Sequence, residues 1–114
     1  MFDDPQGVLW DTAGLLLVKY GFRLYALGAR TGELAWSHRS PTPLVAVICS
    51  PNLEHCVLQS ELETAALDGR GTVVWRATHN DVVTDARLVG GRLVLASYGG
   101  TNLVLDPVTG HSAG

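Results

Sequence analysis

Apolar residues along this chain fall in short runs broken by Gly, Pro, Asn or Asp, and no stretch keeps the three-to-four-residue period of an amphipathic helix. Residues 15–20, 23–27, 34–38, 44–49, 73–77, 86–89, 93–98 and 102–105 are rich in Val, Leu, Tyr and Trp, and they read as strands. Trp10 falls in a further expected strand ahead of these, as a core residue. Helix content is expected to be near zero.

The pattern repeats. Residues 14–28 align without gaps on 54–68, forty positions on, and on 92–106, thirty-eight further. Between the first and third copies Leu15 matches Leu93, Leu17 matches Leu95, Tyr20 matches Tyr98, Gly21 matches Gly99 and Leu27 matches Leu105, while the middle copy is the most diverged. Each copy closes on a turn, at 28–32, 68–71 and 106–110. An Asp there caps backbone amides, and a Gly accepts the positive φ of a tight reversal. Four positions beyond the final Gly stand Trp36 and Trp75, and in the third copy Gly114. A period near forty with about four short strands per repeat predicts small antiparallel sheets stacked face to face.

At the first turn Ala26, Gly28, Thr31, Gly32 and Trp36 resemble the tryptophan-docking motif of quinoprotein propellers, A-x-D-x-x-T-G-x-x-x-W, with Gly28 in place of the Asp. The second copy keeps Ala66, Asp68, Gly71 and Trp75 with one turn residue fewer, and the third keeps Asp106, Thr109 and Gly110. Over residues 14–114 the chain is thus similar to the pyrroloquinoline-quinone-like repeat family, one of several repeat classes, WD40-like among them, that build propellers. The resemblance implies an all-β partial β-propeller, with about three four-stranded antiparallel blades in a single domain, 1–114. The units are expected at 7–38, 43–77 and 82–114, the last without its outer strand. In that family the indole stacks on the neighbouring blade and locks the ring, so Trp36 and Trp75 are expected to be buried between units.

Composition narrows the function classes. With 8 basic and 11 acidic residues the chain carries a net charge of −3, and its basic residues are scattered from Lys19 to Arg92, which is no footprint for nucleic acid. The first residues are acidic where a secretory leader needs positive charge, and the apolar runs, such as 14–18, are far too short to span a bilayer. A cytoplasmic protein with no membrane contact is expected. Cys49 and Cys56 flank a turn-like segment, which permits a disulfide without requiring one; two small core residues are the simpler reading. With His55 they make too few ligands for structural zinc.

Little else points to chemistry. Asp81, Asp85, Glu61 and Glu63 are expected as solvated charges at strand edges, and His38, His55, His79 and His111 as surface residues near strand ends. Quinone-dependent members of the resembled family use a whole ring, a calcium ion, an aspartate base and usually a vicinal cysteine pair, and none of these can be assigned here. No catalytic residue, cofactor or metal is expected. The expected role is a non-catalytic binding or scaffold module, with loops such as 39–43 and 78–82 meeting a protein partner. The alternative is a piece of a quinoprotein-like enzyme whose active residues lie elsewhere. Three blades fall short of the four to eight that close a propeller. A homo-oligomer is therefore expected, as a two-fold dimer completing a six-bladed ring, or else further blades from a longer parent or partner.

Overall fold

The computed structural model describes residues 6–112. Three antiparallel sheets follow one another along the chain, each paired in sequence order. The first holds β1 (Gln6–Trp10), β2 (Leu15–Tyr20), β3 (Arg23–Gly28) and β4 (Leu34–Arg39). The second holds β5 (Leu44–Ile48), β6 (Cys56–Ser60), β7 (Glu63–Leu67) and β8 (Val73–Thr78). The third holds β9 (Val83–Val89), β10 (Arg92–Ser97) and β11 (Asn102–Leu105). Among the described residues the only helical element is one 3-10 turn, Asp11–Ala13, where the chain reverses between β1 and β2.

The third sheet has three strands, yet it begins a fourth. A single antiparallel bridge joins Leu105 to Ser112. Leu27 faces Leu34 in the first sheet and Leu67 faces Val73 in the second, so Ser112 takes the position that opens the outer strand in both. Gly114 lies outside the described residues.

Two apolar cores lie between the sheets. Trp10, Leu15, Leu17, Leu24 and Ala26 of the first sheet meet Leu44, Cys56, Leu58 and Leu67 of the second. On the other side Val57, with Ala46, Ile48 and Ala77 packed against it, meets Val83, Ala86, Leu93, Leu95 and Leu105 of the third. Alternation along β6 sends Cys56 and Leu58 one way and Val57 the other, so the middle sheet is covered on both faces. Every residue of β6 and β7 is buried. The polar ones are satisfied locally: Gln59 Nε2 donates to the carbonyls of Ser60 at 2.7 Å and Glu63 at 3.1 Å, and Thr64 Oγ1 donates to Gln59 Oε1. Glu63 is buried and paired with Arg76 at 3.2 Å, so it is not the solvated edge charge its sequence position suggested.

The repeat is not gapless. Leu17 faces Ala26 in the first sheet, Val57 faces Ala66 in the second and Val94 faces Val104 in the third. Leu93 and Leu95 therefore correspond to Leu16 and Val18, not to Leu15 and Leu17. The cause is the β10–β11 connection, which is one residue longer than the tight Tyr20–Arg23 reversal between β2 and β3. A slip of one residue turns every side chain to the other face. Here it turns Leu93 and Leu95 onto the middle sheet, where both are fully buried.

Removing a side chain from the doubly covered sheet should therefore cost more than removing a rim neighbour. Leu67→Ala is expected to lower unfolding free energy by about 2–5 kcal/mol. Val74→Ala, at a half-exposed position of the adjacent strand, should cost under about 0.5 kcal/mol. Urea titrations of both variants check this, and equal losses would contradict the two-sided core.

Candidate functional site

The turns that close β3, β7 and β11 share one hydrogen-bond frame. Gly28 N donates to Glu33 O at 2.8 Å, Asp68 N to Thr72 O at 2.9 Å and Asp106 N to His111 O at 2.8 Å. Within the frame Asp68 Oδ1 accepts from the amides of Arg70 at 2.9 Å and Thr72 at 3.0 Å, and Asp106 Oδ1 accepts from Val108 at 2.9 Å. The amides of Thr72 and Arg70 hold the Asp68 carboxyl below its ordinary value. The first turn has Gly28 at this position, and there Thr31 Oγ1 accepts from Glu33 N at 3.2 Å, as Thr109 Oγ1 does from His111 N in the third. Each frame ends on a glycine with positive φ: Gly32 at 73°, Gly71 at 82° and Gly110 at 78°.

A tryptophan from the preceding sheet sits on two of these glycines. Trp36 Nε1 donates to Gly69 O at 3.0 Å, and Trp75 Nε1 donates to Pro107 O at 3.0 Å. A Cβ built on Gly71 would come within 2.7 Å of the Trp36 ring, and one on Gly110 within 2.3 Å of the Trp75 ring. Only glycine lets the indole lie flat against the turn. A bulge aims the side chains: the ladder skips one residue after Leu34 and after Val73, so Trp36 faces buried Ala26, and Trp75 faces buried Ala66. Both indoles bridge adjacent sheets, but they are half-buried, not buried, because β4 and β8 are outer strands.

Reasoning from sequence missed a second clamp on the same carbonyl. His55, expected at the surface, is buried, and its Nε2 donates to Pro107 O at 2.7 Å. Its ring stands edge-on to Trp75, with centroids 6.4 Å apart and planes at 89°. The signal was available, since His55 occupies the place of Leu15 in the repeat and Leu15 is a core position. His79 is half-buried and also structural: Thr64 spends its only proton on Gln59, so His79 Nε2 donates to Thr64 Oγ1 at 2.7 Å. Asp81 ties loop 78–82 to the β10–β11 turn by accepting from Gly99 N at 2.9 Å. Cys49 and Cys56 are both free; burial pushes their thiols up to about 11 and about 12, so both stay protonated at neutral pH. Among the described residues no three His, Cys, Asp or Glu side chains group as metal ligands.

No protein-family model matches the chain, and no curated protein matches it. Solved structures do. BamB from Moraxella catarrhalis aligns at a TM-score of 0.70 with 19% identity, over 91% of this chain and 34% of that one. The WD40 domain of Pan2 from Neurospora crassa aligns at 0.71 with 20% identity, over 96% of this chain and 34% of that one. The fold is part of a β-propeller. Each sheet is a blade, and the chain spans about a third of the length of either neighbour.

In propeller terms each docked indole locks one blade to the next. The first blade carries the same turn, but nothing lies within 4 Å of a Cβ built on Gly32. The face around it is apolar. Leu9, Leu16, Val18, Tyr25, Leu27 and Leu34 point away from the middle blade, and Leu34 is 60% exposed. In the middle blade the same face is covered.

Gly32 and Gly110 differ in whether an indole is seated, which makes a controlled comparison. Gly32→Ala should cost about 1 kcal/mol for a side chain at positive φ. Gly110→Ala should cost at least about 1–3 kcal/mol more, because the methyl group displaces Trp75. Equal losses on thermal melting would mean that the glycines do not seat the rings.

Burial holds both His38 and His79 below their ordinary value of 6.5, with Arg76 a further cause at His38. The unfolded chain then binds more protons between the lowered values and 6.5, so stability rises with pH there. The contribution is complete above 6.5 and is lost as pH falls through the lowered values. Melting temperature should fall between about pH 7 and about pH 5, less steeply in His79→Gln. A flat profile would contradict the half-buried neutral imidazoles.

Proposed function

We propose that the chain is a non-catalytic binding or scaffold module of the quinoprotein-like propeller type, working in the cytoplasm through contacts between blades and with a protein partner. The observation that carries this reading is the contrast between Gly32 and its two counterparts. Gly71 and Gly110 each seat an indole from the preceding blade, whereas Gly32 has an open seat beside an apolar blade face. Exposed apolar surface of this kind, framed by a formed turn, is the usual mark of an interface.

The polar side chains support a structural role over a catalytic one. His55 is committed to Pro107 O, His79 to Thr64, and Asp68 to its own turn. Two protonated thiols make poor nucleophiles. On this reading the chain takes up neither quinone nor calcium by itself, and stoichiometric quinone uptake by the purified chain would refute it.

A second copy of the chain is the partner we favour for the first blade. Val94 and Val104 of the third blade point away from the middle blade and offer a small apolar counterface, bordered on the same face by the exposed Asp85–Arg87 ion pair. Two copies meeting head to tail around a two-fold axis would close a six-bladed ring. The two junctions between copies would lack the indole lock, because Gly114 stands where the third tryptophan would be. Light scattering at micromolar concentration should therefore give twice the 12.2 kDa of one chain. Leu34→Asp should return the mass to one chain without loss of β structure. A wild-type species that stays at 12.2 kDa would overturn the dimer.

A further inference from the structure

The two cysteines of the middle blade stand at neighbouring ends of β5 and β6. The ladder between these strands pairs Val47 with Leu58 and Ile48 with Val57, so the next position along it sets Cys49 opposite Cys56. Their side chains share a face: Val47 and Cys49 pack on the core that holds Cys56 and Leu58, while Ala46 and Ile48 pack with Val57 on the other. Residues directly opposite in an antiparallel pair have Cα atoms about 4.5–5.5 Å apart, inside the range of about 4.4–6.8 Å that a disulfide spans. Burial, and then the charge of Cys49 beside it, push the Cys56 thiol up, so the two groups are close enough to interact. Their exposure differs. Cys49 is half-buried and lines a surface cavity of about 250 Å³ with Leu9, Thr12 and Pro51, whereas Cys56 is fully buried. Small solutes reach the first thiol, and the second is reached through the first.

We infer that Cys49 and Cys56 form a redox latch, in which hydrogen peroxide entering the cavity oxidises Cys49 and Cys56 resolves the product to a cross-strand disulfide that braces the middle blade. In the first step the Cys49 sulfur attacks one peroxide oxygen and the O–O bond breaks. The hydroxide that leaves takes up a proton as water, and Cys49 becomes a sulfenic acid. The Cys56 sulfur then attacks Cys49 Sγ, the S–O bond breaks, and the departing hydroxide takes the Cys56 proton to give a second water. Two thiols lose two electrons and two protons, and one peroxide is reduced to two waters. Two equivalents of a small thiol reverse the reaction by exchange and leave as their own disulfide. Both cysteines are protonated at neutral pH, so oxidation is slow there, and the latch answers sustained oxidation in place of a brief pulse. The bond closes segment 49–56, which reaches the third blade through Leu53 in its core and through His55, bonded to Pro107 O at 2.7 Å. Tying the base of that segment restricts the unfolded chain and holds both contacts in place. The latch is independent of which partner the chain binds.

The test treats the full chain with hydrogen peroxide at about pH 9 and follows its mass, its thiols titrated in denaturant, and its melting temperature. The mass should fall by about 2 Da with loss of both thiols. Melting temperature should rise by about 5–15 °C, the effect of closing a loop of this length in a small domain. Dithiothreitol should restore all three readings. The rate of thiol loss should climb about ten-fold per pH unit between about pH 7 and pH 9, because the Cys49 thiol, pushed up to about 11, is the attacking group. Cys49→Ser, at the half-buried position, should keep its remaining thiol and melt at the same temperature with or without peroxide. Cys56→Ala should halt at a sulfenic acid on Cys49, which dimedone traps. Thiols that persist through about a hundred times the exposure that consumes free cysteine would overturn the latch. So would a gain of about 32 Da, the mark of a sulfinic acid, or disulfides formed only between chains. A bond that forms within the chain yet leaves the melting temperature unchanged would overturn the brace.

Discussion

A sheet with apolar residues on both faces is stable only if both faces are covered, and the rest of this molecule is arranged around meeting that condition for its middle blade. Cys56, Leu58 and Leu67 turn to the first blade, Val57 turns to the third, and every residue of β6 and β7 is buried. Burial on that scale supplies the main driving force for keeping three small sheets together. The indoles then fix the angle between them. A flat apolar contact permits sliding, whereas a ring seated on a glycine and bonded to a turn carbonyl at 3.0 Å has one position.

Much of this could be read in the sequence because it depends on local chemistry. Turn glycines, their partner Asp or Thr, and the tryptophan four positions on recur at a nearly fixed period, and a recurrence of that kind survives divergence of the residues between. The outer strands and their docking residues were legible for this reason. What was not legible depended on contacts distant in sequence. The added residue between β10 and β11 leaves the apolar pattern looking aligned, since Leu93 and Leu95 match Leu15 and Leu17 by identity, yet it reverses the face they present. His55 and Glu63 looked like surface residues by type and became interior ones because Pro107 O and Arg76 were brought to them by the fold. Half-burial of the tryptophans follows from their outer strands, which a motif does not report.

The candidate site is therefore an architectural device before it is a functional one. The same turn that holds the second and third blades in place stands open on the first. Here the outer face of the first blade offers apolar area around the open Gly32 turn.

The central claim is that two-sided coverage, more than strand sequence, sets stability along the chain. Native-state amide hydrogen exchange tests it most directly, because protection reports the free energy of opening at each residue. The amides of Val57, Leu58, Ala65 and Ala66 should exchange most slowly, near the rate for global unfolding. Their counterparts in the first blade, Leu17, Val18, Tyr25 and Ala26, should be less protected. Equal protection across the blades, or strongest protection in the first or third, would contradict the account.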